Sequence, residues 1–227
     1  MLTRLRAHLA ADDGVTLVEL LVGMTLSTII GAMTLTLFVN ASDATQASTD
    51  KSIDVAQARA ILQAWTSYVS VADGPSIGSA SHRFEWITDD DMLFYADLGN
   101  RSAASVDSVG SPTVVWLRLT NSRLIEEQFA YGTTSPSVCR ILADHVTAAP
   151  LFTAYDSSYA AISSGTLGEP LATGGAGCTD LPASVTQTDQ AADARLQTVS
   201  RVTIAFSITD TRGTHSTQFE SSADVQG

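Results

Sequence analysis

One carboxylate stands inside a long apolar run. Glu19 is the single formal charge between Val15 and Val39. An ionisable side chain in hydrocarbon costs up to ~3 kcal/mol at mid-bilayer and persists where something pairs with it. At the start of a helix it also meets the positive end of the macrodipole. Either a nearby cation neutralises Glu19, with an attraction far stronger in low dielectric than in water, or the residue lies at headgroup depth and is solvated. Gly14, just ahead of the run, is the second residue to explain. Cys139 and Cys178 either form a disulfide or stay as two separate buried thiols. In an oxidising compartment, closing a loop of about 40 residues stabilises by roughly 4 kcal/mol, which favours the bond. Asp89, Asp90 and Asp91 offer hard oxygen ligands of the kind calcium takes, but three adjacent Asp between two strands fit a solvated turn better. His82, His145 and His215 lack the spacing of a zinc site. No G-x-S-x-G elbow is present, and no glycine-rich phosphate loop precedes a helix. The sequence therefore points to no catalytic centre, no metal and no cofactor. Trp65, Trp86 and Trp116 are expected in the core between helix and sheet rather than on a sugar-stacking surface.

The elements that must position these residues begin with the run itself. A helix of its about 25 residues is about 37 Å long, enough to cross a hydrocarbon core of about 30 Å. Arg4 and Arg6 place positive charge on the side expected to stay cytoplasmic. Gly23, Ser27 and Gly31 line one face at steps of four. They would let another helix approach closely, or they reflect only the frequency of small residues in membrane helices. Beyond the run, Ala41 to Val71 contains neither Pro nor Gly. Ile53, Gln57, Ala60, Ile61, Ala64, Trp65, Tyr68 and Val71 recur at three- and four-residue steps, an amphipathic pattern. Asp73-Gly74-Pro75 should end the helix, at a total of about 57 residues or about 85 Å. Its outer part should lay Ile61, Trp65 and Tyr68 on a sheet.

Pro75 to Gly227 reads as one β-rich head. Phe84–Ile87 and Met92–Ala96 are expected strands. Thr113–Leu119 and Leu124–Ala130 form a hairpin around Asn121-Ser122, with Val115, Leu117, Leu119, Ile125 and Phe129 on one face. Val138–Asp144 and Leu151–Tyr155 follow. Gly99–Pro112 and Ser163–Ala194 read as loops. Val202, Ile204, Phe206 and Ile208 alternate with polar or small residues, the clearest strand in the chain. A final strand is expected from Thr214 to Glu220. The formal net charge of −12, with 12 Lys and Arg in 227 residues, argues against nucleic-acid binding.

Gly14-Val15-Thr16-Leu17-Val18-Glu19 and the span behind it resemble the class III signal of type IV prepilins and pseudopilins, usually Gly-Phe-Thr-Leu-Ile/Val-Glu. Val15 stands here in the place of Phe. The resemblance implies that a prepilin peptidase cuts after Gly14 and methylates the new amino group of Val15. It also implies that Glu19 approaches the amino terminus of a neighbouring subunit during filament assembly, so an ammonium would be the cation it meets. The head, from Val114–Phe129 through Ile141–Val146 and Tyr155-Asp156 to Val202–Ile208, is similar in order and pattern to the J-type pseudopilins and related minor pilins. Such subunits join others at a filament tip and help start assembly. The K-type tip subunit usually lacks the acidic residue that Glu19 supplies.

The expected fold is α+β and pilin-like. A long N-terminal helix, half membrane-spanning and half amphipathic, packs on an antiparallel β-sheet head. The segments are a leader over 1–14, an assembly helix over 15–39, an amphipathic helix over 40–72 and the head over 73–227. The expected function is that of a minor pilin or pseudopilin, assembled through Glu19, Gly23, Ser27 and Gly31 and possessing no enzymatic activity. Its partners would be the prepilin peptidase, other subunits along the N-terminal helix, and the inner or cytoplasmic membrane before assembly. Before assembly it would be a single-pass protein with an extracytoplasmic head; afterwards it would stand in a cell-surface or periplasmic filament. The alternative is a signal-anchored surface protein with a β-rich binding or adhesive head. A cleaved secretory signal fits less well, because its apolar region runs to about 7–15 residues.

Overall fold

A computed structural model describes residues 16–72, 76–77, 80–81, 83–98, 112–162, 167–168, 177–181, 194–210, 213 and 215–225. The chain divides into two compact units, one ending at Asp50 and one running from Lys51 to Gly227. Helix α1 (Leu17–Ser70) is followed by β1 (Ser76–Ile77), β2 (Ala80–Ser81), β3 (Phe84–Ile87), β4 (Asp91–Ala96), β5 (Thr113–Thr120) and β6 (Arg123–Ala130). Next come β7 (Val138–Ala143), β8 (Val146–Thr147), β9 (Phe152–Tyr155), β10 (Leu167–Gly168), a 3-10 turn (Ala194–Thr198), β11 (Arg201–Thr209) and β12 (Ser216–Asp224). The architecture is α+β, with antiparallel sheets following one long helix. The expected breaker Asp73-Gly74-Pro75 and most of the expected Gly99–Pro112 loop lie outside the described residues.

In the first unit the helix starts at Thr16, whose Oγ1 accepts the Glu19 amide at 3.3 Å. The apolar side chains from Leu17 to Val39 are exposed, Leu17 at 80% and Phe38 at 71%. Four threonine hydroxyls in this stretch are paired. Thr25 donates to the Val22 carbonyl, Thr28 to Met24, Thr34 to Ile30 and Thr36 to Ala32, at 2.8–2.9 Å. Such back-bonding absorbs side-chain polarity within the helix itself, as hydrocarbon requires.

In the second unit, six strands form one sheet in the order β10-β3-β4-β5-β6-β7. A second sheet runs β12-β11-β8, with β9 also paired to β11. The β5–β6 hairpin turns through Asn121 and Ser122, both left-handed at φ 50° and 59°. That is the twist-matched turn a two-residue hairpin prefers. The clearest alternation in the sequence is indeed a strand: Val202, Ile204, Phe206 and Ile208 of β11 are all buried. Its partner β12 begins later than expected and runs on to Asp224. β10 and the 3-10 turn occupy the ends of a stretch expected to be loop.

The larger sheet is dry on both faces across its central strands β4, β5 and β6, while the edge strand β7 is largely exposed. On the inner face Phe84, Met92, Phe94, Val115, Leu117 and Leu124 share one core with Ala58, Ile61, Trp65 and Val69 of α1 and with the apolar side of β11. On the outer face Trp86, Leu93, Tyr95, Val114, Trp116 and Phe129 form a second cluster, joined by Leu181. Double-sided burial explains why β4 reads Met-Leu-Phe-Tyr-Ala without alternation. It also corrects three expectations. Ile125 and Phe129 do not share a face with Val115, Leu117 and Leu119. Phe129 sits opposite Val114, Ile125 opposite Arg118, and cross-strand partners point the same way. Trp86 and Trp116 are buried, but on the outer face, where their rings meet edge-on at 5.9 Å; only Trp65 lies in the core that α1 shares with the sheet. The stripe α1 buries is Ala58, Ile61, Trp65 and Val69, whereas Ile53 and Val71 are exposed.

Gly168 closes the sheet edge. Its φ is +83°, and a Cβ there would meet the Glu85 carbonyl oxygen at 2.2 Å. Gly132 has a similar φ of +82° but open space around it. Gly168→Ala should therefore lose stability beyond the about 1–3 kcal/mol of left-handed strain, and Gly132→Ala only the strain. Urea unfolding of the two variants side by side checks the difference.

Candidate functional site

Gly14 and Val15 lie outside the described residues. Glu19 sits in the first turn of α1, exposed. Thr16 and Glu19 have the T-x-x-E spacing of a capping box, and Thr16 Oγ1 satisfies the Glu19 amide. The spacing was legible in the sequence, and it gives Glu19 a local role in starting the helix besides any role in docking. A Cβ added at Gly23 or Gly31 would have nothing within 4 Å. The Gly23, Ser27 and Gly31 stripe is thus open among the described residues. The helix is long and apolar enough to cross a membrane.

Cys139 and Cys178 are joined in a disulfide, Cα–Cα 6.0 Å. Glu127 lies beside them, the three potential ligand atoms falling within 4.8 Å of one another. The sulfur–sulfur bond consumes both thiolates, so the oxidised chain has no soft ligand to offer a metal there.

The head holds three buried polar clusters, two of them not expected from the sequence. On the outer face Arg118 Nε donates to Glu127 Oε2 at 3.0 Å, with side chains 4% and 0% exposed. The remaining valences are filled by residues 177–179. The Thr179 amide donates to Glu127 Oε1 at 2.6 Å, and Arg118 Nη2 donates to the Gly177 carbonyl and to Thr179 Oγ1. On the inner face Arg140 binds the Glu126 carboxylate through Nε and Nη2 at 2.8–3.0 Å. Tyr68 of α1 donates to Glu126 Oε1 at 3.1 Å and accepts from Arg140 at 2.8 Å, which ties helix to sheet. Burial raises the Tyr68 hydroxyl above its ordinary pKa, and the Glu126 charge adds to that. The bond to Glu126 raises Arg140. Adjacent acids in one strand, each answered by an arginine on a neighbouring strand, were the available signal.

The third cluster is the Asp89–Asp91 turn. Asp89 and Asp90 are exposed, but Asp91 is 6% exposed and its carboxylate accepts the Trp86 indole N–H. Burial pushes the Asp91 carboxyl up, opposed by its bonds to Trp86 and Thr88. The backbone carbonyls of Asp89 and Asp90 accept the Leu151 and Leu119 amides. The turn is a structural junction, and only its tip is solvated. His145 and His215 are exposed, and His82 lies outside the described residues. An apolar cleft of about 170 Å³ lies between Ile87, Asp89, Phe152, Ala161, Ile162 and Leu167.

These clusters clamp strands and helix together; none pairs a nucleophile with a base. No family model, curated protein or solved structure matches the chain.

Asp91→Asn keeps an acceptor for Trp86 and removes the buried charge. Folded Asp91 holds its proton more tightly than the unfolded chain. Wild-type stability should therefore fall as pH rises from 3.8 through the raised folded value. Above that window Asp91→Asn should be the more stable protein, and below 3.8 the advantage should vanish. Denaturation midpoints across pH check this; a pH-independent difference would contradict it.

Proposed function

We propose that this chain is a minor pilin or pseudopilin. It is a structural subunit of a type IV pilus-like filament, inserted as a prepilin, cut after Gly14, methylated at Val15 and assembled through α1. The observation that carries the reading is one unbroken helix, Leu17–Ser70. Its apolar first part has Glu19 as its single charge. Its last turns, from Ala58, bury a stripe on an antiparallel sheet. An N-terminal helix that is apolar and exposed at one end and core-forming at the other suits a subunit that waits in a membrane and then packs against copies of the same helix. The open Gly23, Ser27 and Gly31 stripe supports close helix approach. The disulfide supports an extracytoplasmic head. In this reading the partners are the peptidase and neighbouring subunits, the site at the filament tip is shared with other minor subunits, and the head performs no catalysis.

The deciding measurement is the N-terminal peptide of the mature protein from its own host, by mass spectrometry. A peptide that begins at N-methylated Val15 is expected; one that begins at Met1 would point to a signal anchor carrying a β-rich surface head. Gly14→Ala should block processing. Glu19→Gln separates the two roles of that residue, because Gln keeps the capping box and lacks the charge. It should be cut normally and enter filaments several-fold less than wild type, as Glu19→Ala should. Full incorporation of Glu19→Gln would remove the charge pair from the assembly mechanism.

A further inference from the structure

Residues Gly177–Leu181 cross the outer face of the larger sheet as a strap. Its polar atoms complete the buried Arg118–Glu127 pair: the Thr179 amide on Glu127, the Gly177 carbonyl and Thr179 hydroxyl on Arg118. A buried ion pair is tolerable when its remaining donors and acceptors are met, and costly when they are not. Within this strap Cys178 stands between Gly177 and Thr179. Its partner Cys139 sits directly across the β6–β7 ladder from Glu127. The disulfide therefore holds the strap at the ladder position where the ion pair needs it. Besides the disulfide and the three hydrogen bonds to the ion pair, the described strap is held by one apolar anchor, Leu181, and by the Leu181 amide on the Thr134 carbonyl at 2.8 Å. The inner core, with α1, β11 and the inner side of the larger sheet, contains no strap residue.

We propose that Cys139–Cys178 is a redox latch: it keeps the strap Gly177–Leu181 shut over Arg118–Glu127, and its reduction opens the strap while the inner core stays folded. Cys178 is exposed and Cys139 half-buried on an edge strand, so Cys178 Sγ is the accessible point of attack. A thiolate of a dithiol reductant forms a mixed disulfide there and releases the Cys139 thiolate. The reductant's second thiol then displaces the Cys178 thiolate. The protein disulfide takes up two electrons and two protons, and the dithiol leaves as its own disulfide. Opened, the strap withdraws three hydrogen bonds from the ion pair and Leu181 from Trp86, Trp116 and their neighbours, so water reaches the outer face. Local opening of this kind belongs to the least stable unit of a fold and does not require the rest to unfold.

Hydrogen–deuterium exchange on the full chain in detergent micelles tests this, oxidised against dithiothreitol-reduced and against Cys139→Ser/Cys178→Ser. The amides of Thr179 and Leu181 should exchange about 100-fold faster or more when the latch is open, while Val202–Ile208 of β11 keep their protection. Unchanged exchange at Thr179 in the reduced protein would overturn the proposal. So would an equal loss of protection in β11, which would make the disulfide a staple of the whole head. If the serine variant does not fold, reduction of the already folded wild type decides by the same readout.

Discussion

The larger sheet has two faces to keep from water, and the chain covers them by different means. The inner face is closed by large elements: α1 brings Trp65 and its neighbours, and β11 brings a row of four apolar side chains. The outer face carries four buried aromatic rings, Trp86, Tyr95, Trp116 and Phe129, yet among the described residues its cover is a five-residue strap with a disulfide and an ion pair beneath it. Everything else in the head follows from this asymmetry. β4 must be apolar at every position from Met92 to Ala96. The strands flanking it must place a charge where the hydrophobic cover stops. Buried charges in turn demand the partners found on Gly177, Thr179, Arg140 and Tyr68.

Those charged clusters trade hydrophobic gain for register. A buried carboxylate with one arginine is weak evidence for stability. Four or five satisfied contacts at one site instead fix which strand stands opposite which. Glu126 and Glu127 are consecutive, so they point to opposite faces of β6. One fastens α1 through Tyr68; the other fastens the strap through Thr179. A one-residue slip of β6 would turn each of them to the other face, away from its present partners.

The apolar part of α1 obeys a different constraint. Among the described residues nothing in its own unit covers it, and its threonine hydroxyls turn back onto its own carbonyls. Such a surface is at home in lipid or against like helices. The single carboxylate at Glu19 lies at the end of α1 where the capping box and the helix dipole act.

The sequence by itself determined the long helix, its apolar and amphipathic parts, the hairpin at Asn121-Ser122, the alternation of β11 and the α+β class. Each is written in a local period: 3.6 for the helix, 2 for the strand, two turn residues for the hairpin. The T-x-x-E cap at Thr16 and Glu19 is equally local. The tertiary structure alone decided which face each strand buries. Period 2 says that Val114 and Val115 point apart, but not which of them meets the helix, and a sheet buried twice erases even that contrast. Arg118 and Glu127 are nine residues apart across the β5–β6 hairpin, but the Thr179 amide that completes their site comes from 52 residues beyond Glu127. Cys139 and Cys178, the one pairing two cysteines allow, meet across 39 residues. Contacts of that separation depend on chain closure over long distances, which no short window of residues records.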